Sequence, residues 1–313
     1  MKNEEMENYS LIVDADDADE RIDKYLAGQL EELSRSYIQK IIDNGGVTVN
    51  SKNVKARTIV REGDSVELLI SKAVAPEIAA ENIPLEILYE DEDILVVNKP
   101  KNMVVHPAAG HYSGTLVNAL LYHCRDLSGI NGVMRPGIVH RIDKNTTGSL
   151  LVCKNDFAHR SIAEQLKEHS IKRRYLAIVE GKVKEDGVID KAIGRSSKDR
   201  KKMAVTVNGK NAVTHFRVIS STDKFSFVEC RLETGRTHQI RVHMASIGHP
   251  VVGDEVYGHP VKGLEGQTLH ARILGFIQPH TGEYIETEAP IPEYFSSLLA
   301  KYGLKNPTES NLQ

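Results

Sequence analysis

The sequence predicts an α+β protein of two unequal domains, and three observations carry that expectation. The chain has 313 residues, a length that accommodates about two domains. Apolar residues make up 40% and charged residues 27%, the composition of an ordinary globular protein and not of a disordered or fibrous chain. In the longer C-terminal part, strand-like runs outnumber helical ones and do not alternate strictly with them. That pattern favours a mixed or antiparallel sheet over a doubly wound nucleotide-binding fold.

The elements follow in order. Residues 1–10 read as an acidic, disordered start, and 11–71 as a small domain. Ile22, Tyr25, Leu26, Leu30 and Leu33 recur at helical spacing behind Asp19, a potential cap. A second helix is expected over 34–43, with Tyr37, Ile38, Ile41 and Ile42 on its apolar side, and Asn44-Gly45-Gly46 stops it. Short extended runs at 47–50 and 65–70 enclose a basic stretch, 52–61, and a turn at 62–64. Residues 72–83, with Pro76 and no apolar period, read as a linker. The second domain is expected over 84–300, with strands at 94–98, 150–153, 175–179, 212–219, 225–232, 269–276 and 284–288. Helical patterns fall at 116–123, 157–169 and 237–247, and 301–313 reads as a frayed tail.

Composition also excludes function classes. No run reaches the roughly 18 apolar residues of a membrane span, and the start, MKNEEMENYS, is acidic where a secretory leader would be basic, so a cytoplasmic location is expected. Cys124, Cys153 and Cys230 are odd in number and far apart, which supports neither a disulfide framework nor a CxxC metal site. The histidine pairs His106/His111 and His238/His243 are each five apart, without the i, i+4 spacing of a helical zinc site, so no metal is expected. There is no GxGxxG or GxxxxGK[ST] loop, hence no expected nucleotide cofactor. The net charge of −3 is uneven. Residues 1–20 hold one Lys against eight acids, whereas 35–61 hold six cations against one acid and 195–202 hold five against one. Local basic clusters suit a polyanion, because counterion release depends on the cluster and not on the total, although a solvated surface would carry the same charges.

The segment from Gly137 to Gly148 is polar, turn-rich and leads into an apolar strand, the kind of loop on which a scaffold presents reactive groups. Asp143 stands between Arg141 and Lys144, cations that favour its ionised form. Spacing alone leaves it either a turn former or a nucleophile or base.

Ser34-Arg35 and Gly46-Val47-Thr48-Val49-Asn50 resemble the S4 RNA-binding domain, with Ser51 where that family usually has glycine. The resemblance implies RNA contacts from Ser34, Arg35, Lys40, Lys52 and Lys55. Further along, GIVHRIDKNTTGSLLVCKN resembles the HRLDxxTSG motif of the RluA-type pseudouridine synthases. Asn98-Lys99-Pro100 with His106-Pro107, the strand Lys172-Arg173-Arg174-Tyr175-Leu176-Ala177, and Glu233-Thr234-Gly235-Arg236-Thr237-His238-Gln239-Ile240-Arg241-Val242-His243 resemble further motifs of that family, in the same order.

The resemblance spans residues 10–295 and implies a cofactor-independent isomerase that converts uridine to pseudouridine within RNA, most similar to the branch acting on 23S ribosomal RNA. It implies that Asp143 reacts at C1' or C6 or takes the C2' proton, and that Tyr175 stacks on the uracil and assists loss of the C5 proton. Arg236 would pair with Asp143, and Arg141 would displace the target base or contact phosphate. His106 and His140 lie within these motifs as RNA contacts, and Lys198, Arg200, Lys201 and Lys202 form a basic loop suited to RNA backbone. A monomer is the default. The main rival is an inactive RNA-binding relative, against which the retention of Asp143, Tyr175 and Arg236 speaks.

Overall fold

In the computed structural model, the residues described are 6–30, 35–71, 78–107, 112–124, 127, 128, 130, 136–197, 199 and 202–305. The chain divides into two compact units, Met1–Pro76 and Glu77–Gln313.

The first unit contains β1 (Met6–Ile12), α1 (Ile22–Gln29), α2 (Arg35–Asp43), β2 (Val47–Val49), β3 (Lys52–Asn53) and β4 (Ser65–Ser71). Its sheet runs β1-β4-β2-β3, all antiparallel. The disorder expected of residues 1–10 is corrected at 6–10, because β1 pairs with β4 over seven positions and packs Tyr9 and Leu11 against the core. The acidic charge there masks an apolar–polar alternation that one sheet face can use. Asp19 does not cap α1, which starts after Arg21, and Asp19 instead turns the chain with φ 64°. Ile22, Leu26, Ile38 and Ile42 bury against Val47, Val66 and Leu68.

The second unit is built from β5 (Ile87–Glu90), β6 (Ile94–Lys99), α3 (Leu116–His123), β7 (Thr147–Cys153), α4 (Asp156–Lys167), β8 (Lys172–Glu180) and β9 (Gly187–Asp190). It continues with the ribbon β10 (Ile193–Arg195) and β11 (Met203–Val205), then β12 (Val213–Ser221), β13 (Phe225–Leu232), α5 (Gln239–Ser246), β14 (Leu269–Ile277), β15 (Tyr284–Glu288) and α6 (Glu293–Lys301). Nine strands form one sheet in the order β5-β6-β7-β14-β8-β13-β12-β9, with β15 on β14. Only β7 and β14 run parallel, so the sheet is mixed as the sequence predicts. All seven residues of β7 are buried. Leu150 and Val152 face α3 through Leu116 and Leu120, while Leu151 and Cys153 face α4 through Ala158 and Ile162. A strand covered on both faces reads as a continuous apolar run, which is what residues 150–153 show.

Two boundaries differ from expectation. Part of the expected linker, 78–83, belongs to the second unit: Ile78 and Ile83 pack on its core, and Asn118 Nδ2 donates to the Ala79 carbonyl at 2.8 Å. At the other end, α6 follows β15, Tyr302 stacks on Phe225 with centroids 4.0 Å apart, and Leu304 is buried. Ordered chain therefore reaches Lys305, and the rest of the expected tail lies outside the described residues. All three cysteines are buried and unpaired. Among the described residues no helix is long and apolar enough to cross a membrane.

Candidate active site

The loop before β7 carries Asp143. An isolated bridge between Ile138 and Val152 anchors its start, and the Thr146 N–H donates to the Asp143 carbonyl at 3.0 Å, closing a turn. Gly148, the second residue of β7, has φ +106°, and any Cβ there would run into the carbonyl of Ala271, its parallel partner on β14. Glycine is required for both reasons. From the other side Lys99, fully buried at the end of β6, donates Nζ to the carbonyls of Pro100 (2.7 Å), Met103 (2.9 Å) and Lys144 (3.0 Å). Three acceptors match the three N–H bonds of an ammonium. Burial pulls the Lys99 pKa down to about 7, and the neighbouring Asp143 opposes that shift. The lysine thus ties the Asp143 loop to the sheet.

Arg241 holds the carboxylate of Asp143. Its Nη1 donates to Asp143 Oδ2 at 2.9 Å, while Nε and Nη2 grip the fully buried Asp254 at 2.6 and 2.8 Å. Burial works against the guanidinium's charge, but Asp254 and Asp143 outweigh it and raise the Arg241 pKa. Burial likewise disfavours the Asp254 carboxylate, yet Arg241 and the backbone N–H groups of Val256 and Tyr257 bring its pKa below the usual value. The expected pairing of Arg236 with Asp143 is therefore corrected. Arg236 Nε donates instead to the Asn211 carbonyl at 2.9 Å, and its backbone N–H to Gln239 Oε1.

Helix α5 explains the exchange of roles. His238 stands at its N-terminus in the left-handed region (φ 56°), so the chain reverses between Arg236 and Gln239, and Arg241 on the first turn reaches Asp143. The buried Gln239 side chain accepts from Thr234 Oγ1 and the Arg236 N–H, and donates to the Val213 carbonyl and Thr214 Oγ1. The His243 ring bridges Thr214 and the Lys191 carbonyl. These polar motif residues build the turn. His238 Nδ1 is 2.8 Å from the Tyr257 hydroxyl and Nε2 lies 3.8 Å from Asp143 Oδ1. Burial lowers its pKa against the opposing pull of Asp143, which keeps the ring neutral.

Asp143, Tyr175, Arg141, Arg236 and Arg241 all line one cavity of about 550 Å³. Tyr175 is buried, and burial, with a smaller contribution from Asp143, raises its pKa, so it stays a phenol. Arg141 is exposed. His140 also lines the cavity, but its Nε2 accepts the Leu151 N–H at 2.9 Å, which places the proton on Nδ1. Burial pushes its pKa down to about 3. His106 is buried.

Of the expected RNA contacts elsewhere, Lys202 donates to the Val256 carbonyl, while Ser34, Lys198, Arg200 and Lys201 lie outside the described residues. In the first unit Lys40, Lys52 and Lys55 are exposed. Arg35 donates through Nε and Nη2 to Asp23, a fully buried carboxylate also held by Arg21 and Gln39, so its guanidinium has a structural duty that the sequence did not reveal. Away from the cavity, Glu90, His123 and Cys124 bring one potential metal ligand each within 4.8 Å of one another, but His123 and Lys154 already pair with Glu90.

A mixed sheet presenting one arginine-held aspartate in a cavity beside a buried tyrosine defines a class, and comparison with known proteins agrees. The family model for RNA pseudouridylate synthase matches residues 93–246, and that for the S4 domain matches 20–66. The chain is 52% identical over 297 residues to the uncharacterized RNA pseudouridine synthase YlyB of Bacillus subtilis, covering 94% of this chain and 98% of that protein. It is 47% identical to the ribosomal large subunit pseudouridine synthase D of Zymomonas mobilis (91% and 95% covered) and 44% identical to that of Pseudomonas aeruginosa (90% and 91%). The structure of human RNA pseudouridylate synthase domain containing 1 superposes with a TM-score of 0.55 at 27% identity, over 72% of this chain and 97% of that one. This chain belongs to the RNA pseudouridine synthase family and carries an N-terminal S4 domain.

Proposed function

We propose that this enzyme isomerises uridines of large-subunit ribosomal RNA, acting as a cytoplasmic monomer with Asp143 as the reacting carboxylate. The observation that carries this reading is the Asp143–Arg241–Asp254 chain of charge opening into the cavity beside Tyr175. Arg241, itself locked by two hydrogen bonds to Asp254, donates one more to Asp143 and so orients its carboxylate, as nucleophilic or basic work requires. Asp143 acts alone among carboxylates in the cavity lining, unlike the paired acids of a hydrolytic glycosidase, where the second one activates water. The target base must leave its stack to reach Asp143, at a cost of a few kcal/mol. Exposed Arg141 at the same cavity is placed to occupy the space that the base vacates. Exposed Lys40, Lys52 and Lys55 supply sequence-independent grip.

The test is tritium release from [5-³H]uridine-labelled 23S rRNA fragments by the native protein and by Asp143→Asn. Release by the native protein alone, with RNA mass unchanged, is the expected outcome. Release of free uracil, or no release while RNA is still bound tightly, overturns the reading.

A further inference from the structure

Strand β8 places Arg173 two residues before Tyr175, so both side chains project from the same face into the cavity, while Arg174 between them points toward Glu229. Arg173 is only 6% exposed, and burial lowers its pKa. Its Nη2 donates to the Glu233 carbonyl at 2.9 Å, its Nε is buried with no partner, and among the described residues no carboxylate pairs with it. Arg241, by contrast, is neutralised by two carboxylates. A buried, uncompensated guanidinium is costly, and its cost is recovered only when a ligand brings negative charge or acceptors. The fold makes room for it: a Cβ on Gly235 would lie 2.8 Å from Arg173 Nη1, and Gly235 has no unusual φ that would otherwise demand glycine.

We propose that Arg173 forms a subsite for the anionic form of the uracil ring, the charge that every route open to Asp143 creates. If Asp143 attacks C1' or takes the C2' proton, the C1'–N1 bond breaks with its electron pair passing to the base, and the charge spreads over N1, O2 and O4. If it attacks C6, the pair of the C5–C6 double bond moves to the same O4 as an enolate. The base then turns and gives a pair from C5 to C1': in the C1' route the Asp143–C1' ester bond breaks with its pair returning to the carboxylate, in the C2' route Asp143 returns its proton to C2', and in the C6 route the C1'–N1 bond breaks with its pair to N1 and the Asp143–C6 bond breaks as the C5 proton leaves. In each route the C5 proton departs and N1 takes up a proton. A cation fixed beside the ring stabilises that charge without reorganising as it develops. The position favours base over phosphate. A phosphodiester continues into chain on both sides and stays at the mouth, where exposed Arg141, Lys167 and His169 line the cavity, while the flipped base alone reaches a side chain as enclosed as Arg173.

The inference rests on the pseudouridine synthase reading, yet its test needs no RNA. Purified full-length protein is titrated with 5-nitrouracil, an anion at pH 7.5, and with neutral uracil, and bound ligand is measured by equilibrium dialysis. The native protein should prefer the anion at least tenfold. Arg173→Met should abolish that preference, Arg173→Lys should retain part of it, and Gly235→Ala should weaken it with the charge intact. Should Arg173→Met not fold, the Lys and Gly235 variants decide. Equal or undetectable binding of the two bases, or a preference that survives displacement of Arg173, overturns the proposal even if the native enzyme releases tritium from 23S rRNA. In single-turnover assays with such RNA, the loss in Arg173→Met should fall at least tenfold on the rate and less than threefold on RNA affinity. A loss confined to affinity, with a shallower salt dependence, would instead assign Arg173 to phosphate.

Discussion

Replacing Arg241 by methionine separates the two arginines of one motif. Arg241 is 6% exposed at its side chain and holds Asp254, which is fully buried, and Asp143, at 17%. Removing it strands a buried carboxylate, for which the expected cost is about 3–5 kcal/mol. Arg236→Met forfeits one hydrogen bond to a backbone carbonyl and should cost about 1 kcal/mol. In urea, with a slope of about 2 kcal/mol per M, the midpoint of the larger unit should fall by about 2 M for the first and about 0.5 M for the second. The pH dependence is a sharper signature. In the native protein Asp254 has a depressed pKa, so its contribution is present above the usual carboxylate value of 3.8 and is lost as pH falls through the depressed one. Without Arg241 its folded pKa rises above the unfolded value, the folded state binds the extra proton, and stability rises as the pH is lowered. The deficit of Arg241→Met relative to the native protein should therefore shrink between pH 7 and pH 5. A deficit that stays constant or grows, or one no larger than that of Arg236→Met, would refute the assignment.

Other perturbations follow from the same geometry. Lys99→Met keeps the volume but leaves three buried carbonyls without a donor, so the larger unit should lose about 3 kcal/mol, and tritium release should drop because the Asp143 loop loses its tie. A melt matching the native protein would show that the lysine is dispensable. Gly148→Ala, at φ +106° and against the Ala271 carbonyl, should cost about 3 kcal/mol or more, read as a lowered melting temperature or insoluble expression. Asp23→Ala removes the acceptor shared by Arg21, Arg35 and Gln39; because both arginines are half exposed, the cost should be about 2 kcal/mol. Hydrogen exchange should show that loss within residues 6–71 and leave 84–300 protected.

Much of the site was legible in the chain because its signals are local. The polar turn before an apolar strand placed Asp143 at a strand end, and a motif resembling that of a known family singled out Tyr175, which lies on β8. Helix α2 matched its periodicity within one residue, since an apolar stripe and an Asn-Gly-Gly stop are felt by neighbours in sequence. Charge misled at the start, where acidic residues hid the alternation of β1, whose pairing with β4 spans more than fifty residues of chain.

What the sequence by itself determined was the class of fold, from short-range patterns; Asp143 and Tyr175 were singled out as site candidates by motifs that resemble those of a known family. Only the tertiary structure decided which cation serves Asp143. Arg236 and Arg241 are the same residue type in the same motif, and the choice depends on a left-handed residue at His238 and on a contact between residues 98 apart. The same holds for Lys99 and Arg173, whose significance lies in burial and in the acceptors around them. A side chain's electrostatic environment is set by what the fold packs against it, and one-dimensional spacing carries no record of that.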